Sequence, residues 1–188
     1  MARSNKERTE ATRNALLDAA RELFVSKGYA DTATPDIAAL AKVTRGALYH
    51  HFPDKKALFR AVAQRESSAV AAEIERRSSL ASHPRDALLE GASAYFDAMG
   101  VPGRTRLLLV EAPAVIYEDK AEDTLKRGLS DLLGQSSVMN LVDPLTLMLS
   151  AAFDRAALQV ERGADRQQLQ QAIMALIDGL SAYGAAES

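Results

Sequence analysis

The residues best suited to chemistry in this 188-residue chain lie in one short run, Arg45-Gly46-Ala47-Leu48-Tyr49-His50-His51, with Lys55 just beyond it. These types recognise surfaces; they do not form a bond-breaking set. Arg45 can donate two hydrogen bonds to a guanine edge, Ala47 can touch a thymine methyl, and Tyr49, His50, His51 and Lys55 can reach phosphates or nearby base edges. Lys55 opens a helix, where its charge adds to backbone N–H donors. Wound at about 100° per residue, the run puts Leu48 and Phe52 on a buried side and Gly46 and His50 opposite. Arg45 and Tyr49 then occupy one flank, Ala47 and His51 the other. Gly46 and Ala47 keep the outer face thin, so the backbone could approach base edges closely. Any compact three-helix domain shows such a face, so spacing alone favours DNA binding only moderately.

Apolar residues recur at three- and four-residue spacing nearly everywhere, and no stretch alternates in the manner of a strand, which predicts an all-α fold. A first helix over 6–26 buries Leu16, Leu17, Ala20, Leu23 and Phe24 and stops at Lys27-Gly28. Thr34-Pro35 opens a short second helix, with Thr34 as cap and Ile37, Leu40 and Ala41 inward. Lys42-Val43-Thr44 forms a tight turn, Thr44 caps a third helix over 45–51, and Phe52-Pro53-Asp54 ends it. Asp54 caps a fourth helix that carries Leu58, Phe59 and Val62 and continues to about residue 80. Two short helices joined by a tight turn are the ingredients of a helix-turn-helix.

Charge supports a division of labour. Residues 1–60 hold 11 Lys and Arg against 7 Asp and Glu, a balance of +4, whereas 61–188 hold 12 against 18, a balance of −6. A basic head on an acidic body is expected when only the head meets phosphate. Cysteine is absent, which excludes disulfides and thiolate metal sites. The charged N-terminus lacks an apolar h-region, and no apolar run is long enough to span a bilayer, so a cytoplasmic protein without membrane insertion is expected, nucleoid-associated when bound to DNA. The histidines are His50, His51 and His83, and neither a zinc-protease motif, a phosphate-binding glycine loop nor a nucleophile elbow occurs. No enzyme activity, metal or cofactor is expected.

Leu17-Asp18-Ala19-Ala20-Arg21-Glu22-Leu23-Phe24, Gly28-Tyr29, Asp36-Ile37-Ala38, Ala41, Val43-Thr44, Gly46-Ala47-Leu48-Tyr49-His50-His51-Phe52 and Asp54-Lys55-Lys56-Ala57-Leu58-Phe59 together resemble the N-terminal domain of TetR-family (TetR/AcrR-like) bacterial transcriptional regulators, over roughly the first third of the chain. The resemblance implies that the third helix lies in the major groove, that Thr44 and Tyr49 fix the DNA backbone, and that Lys55 clamps a phosphate. Two positions depart from the pattern. Ala33 stands where Ser or Thr is usual, which leaves capping and phosphate contact to Thr32 or Thr34. Lys42 stands where the turn usually has Gly, and a lysine at positive φ carries strain of roughly 1 kcal/mol.

The expected domains are 1–60, the helix-turn-helix, and 81–188, a helical ligand-binding and dimerisation domain, with about nine helices in all. Asp143-Pro144 caps and starts a helix over 145–162 that is apolar around most of its circumference, and Asp165 with Gln168 forms a capping box for 166–183. These two helices hold more apolar surface than one subunit needs. Leu149, Phe153, Leu158, Leu169, Ile173, Leu176, Ile177 and Leu180 are therefore the expected homodimer interface, the arrangement that the resemblance also implies. Between head and dimer helices, Tyr95, Phe96, Met99, Leu108, Glu111, Val115 and Tyr117, with Phe153, suit a mainly apolar pocket, while Pro113 breaks or kinks its helix. By analogy with the family, a small hydrophobic effector there favours head spacings that no longer match a palindromic operator, which makes the protein a repressor. The alternative is a TetR-type activator, or a ligand-independent DNA organiser that works through protein partners.

Overall fold

The computed structural model describes residues 5–112, 120–134 and 139–186. Among them the regular structure is wholly helical. It comprises α1 (Asn5–Asp31), α2 (Thr34–Leu40), α3 (Arg45–His51), α4 (Lys55–Ser78), α5 (Pro84–Met99), a short π-helix (Arg106–Glu111), α6 (Lys120–Leu133), one turn of 3-10 helix (Met139–Leu141), α7 (Val142–Glu161) and α8 (Arg166–Ala186).

The chain divides into two units, 1–66 with 106–117, and 67–105 with 118–188. The division therefore falls inside α4, and one segment of the expected C-terminal domain returns to the N-terminal unit. Leu107 is the reason: it is buried in the first unit's core, and Leu108 packs against the same core.

In the first unit, α1 buries Leu16, Leu17, Ala20 and Phe24 against Ile37 of α2, Leu48 of α3 and Leu58, Phe59 and Val62 of α4. Phe24, Tyr29 and Phe59 form a ring cluster with centroids 4.9 to 5.9 Å apart. Regular winding of α1 breaks at Gly28, whose φ of 85° and ψ of 166° suit a residue without Cβ. Buried Thr32 secures the bend, its hydroxyl lying 2.6 Å from the Gly28 carbonyl oxygen and 3.1 Å from that of Leu23.

Helix α2 differs from expectation at its start and on its inner face. Ala33 is the N-cap, without a side-chain bond, so Thr34 sits inside the first turn and does not cap. Leu40 is exposed, and Ile37 and Ala38 supply the buried side. The helix ends as a Schellman motif, in which the N–H of Val43 donates to Ala38 at 3.0 Å and that of Lys42 to Ala39 at 3.1 Å. This closure sets Lys42 at φ 57°, the positive-φ turn position. Lys42→Gly is expected to raise stability by about 0.5–1 kcal/mol, because relief of the left-handed strain exceeds the added chain entropy. Chemical denaturation of both proteins measures the difference.

In the second unit Ile74 and Ser78 of α4 lie beside Gly91 of α5, and α5 to α8 pack on one another. A Cβ on Gly128 would lie 2.7 Å from Leu88 Cδ2, so glycine there permits close approach of α6 to α5. Arg77 pairs with Glu90 and Asp97, and Arg166 pairs with Asp97. The Arg166 guanidinium, then Arg77, holds the Asp97 carboxyl below the usual range. The stabilisation from this link is present above the ordinary carboxylate pKa and is lost as pH falls through the lowered one.

Asp143 does not cap α7 as expected; the helix starts at Val142 with Leu141 as N-cap, and Asp143 pairs with Lys126 at 2.7 Å. Asp165 does open α8, with Oδ1 accepting from the N–H groups of Gln167 and Gln168. The expected interface residues need correction on both helices. Leu149, Phe153, Ile173 and Ile177 are buried inside their own unit; Leu158, Leu169 and Leu180 are half-buried; Leu176 is exposed. The exposed apolar surface instead includes Leu147 at 65 %, Met148 at 68 %, Leu176 at 54 % and Tyr183 at 53 %.

Candidate nucleic-acid interface

A seven-residue helix is unstable in isolation, so α3 depends on its anchors. Thr44 Oγ1 accepts from the N–H of Ala47 at 3.1 Å, Leu48 is fully buried, and Phe52 is buried beneath the Arg13 guanidinium, 4.6 Å from its ring centroid. Anchored in this way, α3 leaves Thr44, Arg45, Gly46, Tyr49 and His50 exposed, with Ala47 and His51 half-buried. The thin face is real: nothing lies nearer than 3.9 Å to a Cβ placed on Gly46.

Two of these groups, Arg45 and Tyr49, form a polar strip with Thr34 of α2. The Tyr49 hydroxyl lies 3.1 Å from that of Thr34, and the Arg45 guanidinium lies 5.9 Å from the Tyr49 ring centroid. Hydrogen bonding to Thr34, and then to Arg45, holds the phenol below its ordinary pKa. Thr34 thus joins the site through Tyr49 and not as a helix cap. His51 is a weaker candidate for attracting phosphate, because burial, with the charges of His50 and Arg13, pushes its imidazole down and favours the neutral ring.

Lys55 requires a different role from the expected phosphate clamp. Its ammonium donates to the carbonyls of Tyr29 at 2.8 Å, Ala30 at 3.2 Å and Thr32 at 3.0 Å, and lies 4.5 Å from the Tyr29 ring centroid. An ammonium has three donors, and all three serve the fold. Lys55→Ala is expected to lower stability by about 1–2 kcal/mol, since it leaves carbonyls unpaired, two of them in part-buried bonds. Any lost DNA affinity should return on cooling, with little change in salt dependence; a salt slope reduced by about one unit in a fully folded variant would restore the phosphate role.

The second unit contains a cavity of about 330 Å³ walled by α4, α5, α6 and α7. Tyr95 and Phe153 line it; Phe96 and Met99 are buried but are not among its lining residues. Leu108 and Glu111 belong to the first unit and are removed from the expected pocket: Glu111 accepts the Tyr29 N–H at 2.7 Å and pairs with Arg106 at 3.1 Å. Val115 and Tyr117, with the kink expected at Pro113, lie outside the described residues. Sequence reading missed Ile74, Leu88 and Asp154 in the wall. The small residues Gly91 and Gly128 on α5 and α6 were the available signal. Among the described residues no cluster of three metal-ligating side chains occurs, and no helix is long and apolar enough to cross a membrane.

Residues 16–62, which contain α2 and α3, match the family model of bacterial regulatory proteins, tetR family. Over 187 residues the chain is 32% identical to the HTH-type transcriptional regulator TtgR of Pseudomonas putida, covering 96% of this chain and 83% of that one. The chain belongs to the TetR family. TetR-family relatives also include the HTH-type transcriptional regulator AcrR of Shigella flexneri, 36% identical over 110 residues that cover 58% of this chain and 51% of AcrR. A TetR-family regulator from Pectobacterium atrosepticum has a similar structure, with TM-score 0.69, 28% identity and 95% coverage of both chains. The fatty acid degradation regulator FadR of Bacillus halodurans shares the fold, with TM-score 0.75, 15% identity and coverage of 94% and 96%. As a TetR-family protein, the chain is a DNA-binding transcriptional regulator and not an enzyme.

Proposed function

We propose that this regulator is a homodimeric repressor that places two α3 helices in successive major grooves of a palindromic operator and is released by an effector in the second unit's cavity. The observation that carries the reading is the outer face of α3, where Arg45, Tyr49 and Thr34 form one polar strip beside the open backbone of Gly46. Thr44, Ala47 and His50 complete the contact surface, with His51 at its edge as a neutral donor.

Dimerisation is supported by the uncovered Leu147, Met148, Leu176 and Tyr183 of α7 and α8. On α8, Ala172, Leu176, Gly179 and Tyr183 are exposed at spacings of four, three and four residues, which is one face of a helix. Release follows if the effector binds more tightly to a state with lower DNA affinity, and its extent is set by that difference. Sedimentation of the full chain should give a dimer, and the Met148→Glu, Leu176→Glu double variant a monomer with at least 100-fold weaker operator binding, because the two heads are no longer linked. A wild-type monomer with the same operator affinity as the double variant would refute the dimer reading.

A further inference from the structure

We propose that Arg13 of α1 is a phosphate-binding residue of the DNA interface: it stands at the C-terminal end of α3 and grips the DNA backbone while Arg45, at the other end, reads bases. This rests on the reading of the outer face of α3 as the surface that meets DNA.

Lys55 commits its three donors to the carbonyls of the α1–α2 bend and is not available to phosphate. Arg13 is. Its guanidinium sits over the Phe52 ring, 4.6 Å from the centroid. Phe52 is the C-cap of α3 and only 3 % exposed, so the ring that carries the guanidinium is fixed by the core. The His51 ring lies 6.4 Å from that of Phe52, and the His50 ring 5.4 Å from that of His51, so the guanidinium and three rings are neighbours in turn. Burial first, then the charges of His50 and Arg13, push the His51 imidazole down, which leaves a neutral donor beside a permanent cation. Arg13 itself is exposed, and among the described residues it forms no ion pair; Glu10, one turn earlier on α1, is exposed and does not pair with it. A guanidinium held by its face keeps the N–H groups of its edge for an acceptor, and their fork matches two oxygens of a phosphate. Holding it in advance also removes much of the rotamer freedom that binding would otherwise cost. From Arg45 to the C-cap, α3 rises about 10 Å. The major groove is about 12 Å wide, so with Arg45 on base edges the other end of α3 lies beside a phosphate strand.

Anisotropy titrations of the full-length chain over about 50–200 mM salt test the proposal on two duplexes of about 40 base pairs, one selected by the wild type and one of random sequence. Arg13→Gln removes the charge; Arg13→Met removes it and keeps an apolar cover on Phe52. Both should bind either duplex more than about fivefold more weakly, by a similar factor on each, with the salt slope reduced by about one unit for each head bound. Arg13→Lys should restore the slope and recover affinity only in part, since the charge returns without the fork. An arginine that merely covers Phe52 would behave differently: Arg13→Gln would lower the thermal midpoint, Arg13→Met would not, and neither would change the salt slope. That result, or wild-type affinity in both neutral variants, would overturn the proposal. If Arg13→Gln does not fold, Arg13→Met decides alone. Arg45→Ala judges the reading of α3 separately. Relaxed base preference in that variant, with an unaltered slope in the neutral Arg13 variants, would leave the α3 reading standing without this proposal; a wild type with no affinity for either duplex would overturn both.

Discussion

Gly28→Ala is expected to destabilise the first unit by about 2–4 kcal/mol and to lower its thermal midpoint by roughly 5–15 °C. Two causes combine. At φ 85° and ψ 166° an L side chain is strained by about 1–3 kcal/mol whatever the space around it. The space is also taken: a Cβ would lie 3.0 Å from an Arg106 guanidinium nitrogen and 3.2 Å from Glu111 Oε1. Glu111 can retreat only by weakening its bond to the Tyr29 N–H. Circular dichroism on heating reads the loss directly. A midpoint unchanged within about 1 °C would mean that the bend and the Glu111 contact do not hold the head together.

Arg45→Ala is expected to leave stability nearly unchanged, because Arg45 is exposed and packs only along the Tyr49 ring. Operator affinity should nevertheless fall more than 30-fold. A bidentate arginine–guanine contact discriminates by about 1–3 kcal/mol, and the proposed dimer would make it twice. The signature is positional: preference should relax at one base in each half-site, while affinity for random DNA changes much less. Uniform weakening on all sequences would assign Arg45 to phosphate instead.

The parts of the fold that sequence reading recovered are those fixed by local chemistry. Thr44 and Asp54 cap the helices that follow them because a short side-chain oxygen meets N–H groups two or three residues on, an interaction visible in the residue order. Leu48 and Phe52 face inward because one helical turn dictates it. Failures occur where partners are distant. Glu111 and Tyr29 are 82 residues apart, and nothing in a pocket-like run of apolar residues shows that its glutamate serves the head. Lys55 at a helix start suits either a phosphate or a carbonyl cluster, and three carbonyls from the α1–α2 bend take it. Helix α7 is apolar nearly all round, so its periodicity could not distinguish the face covered by its own unit, with Leu149 and Phe153, from the face carrying Leu147 and Met148.

Selection of binding sites from a pool of random duplexes, with the full-length chain at moderate salt, tests the α3 face most directly. Enrichment of a two-fold symmetric site is expected, with half-sites that lose one matched base preference when the selection is repeated with Arg45→Ala. A wild-type pool that remains random, or a site selected identically by the two proteins, would contradict it.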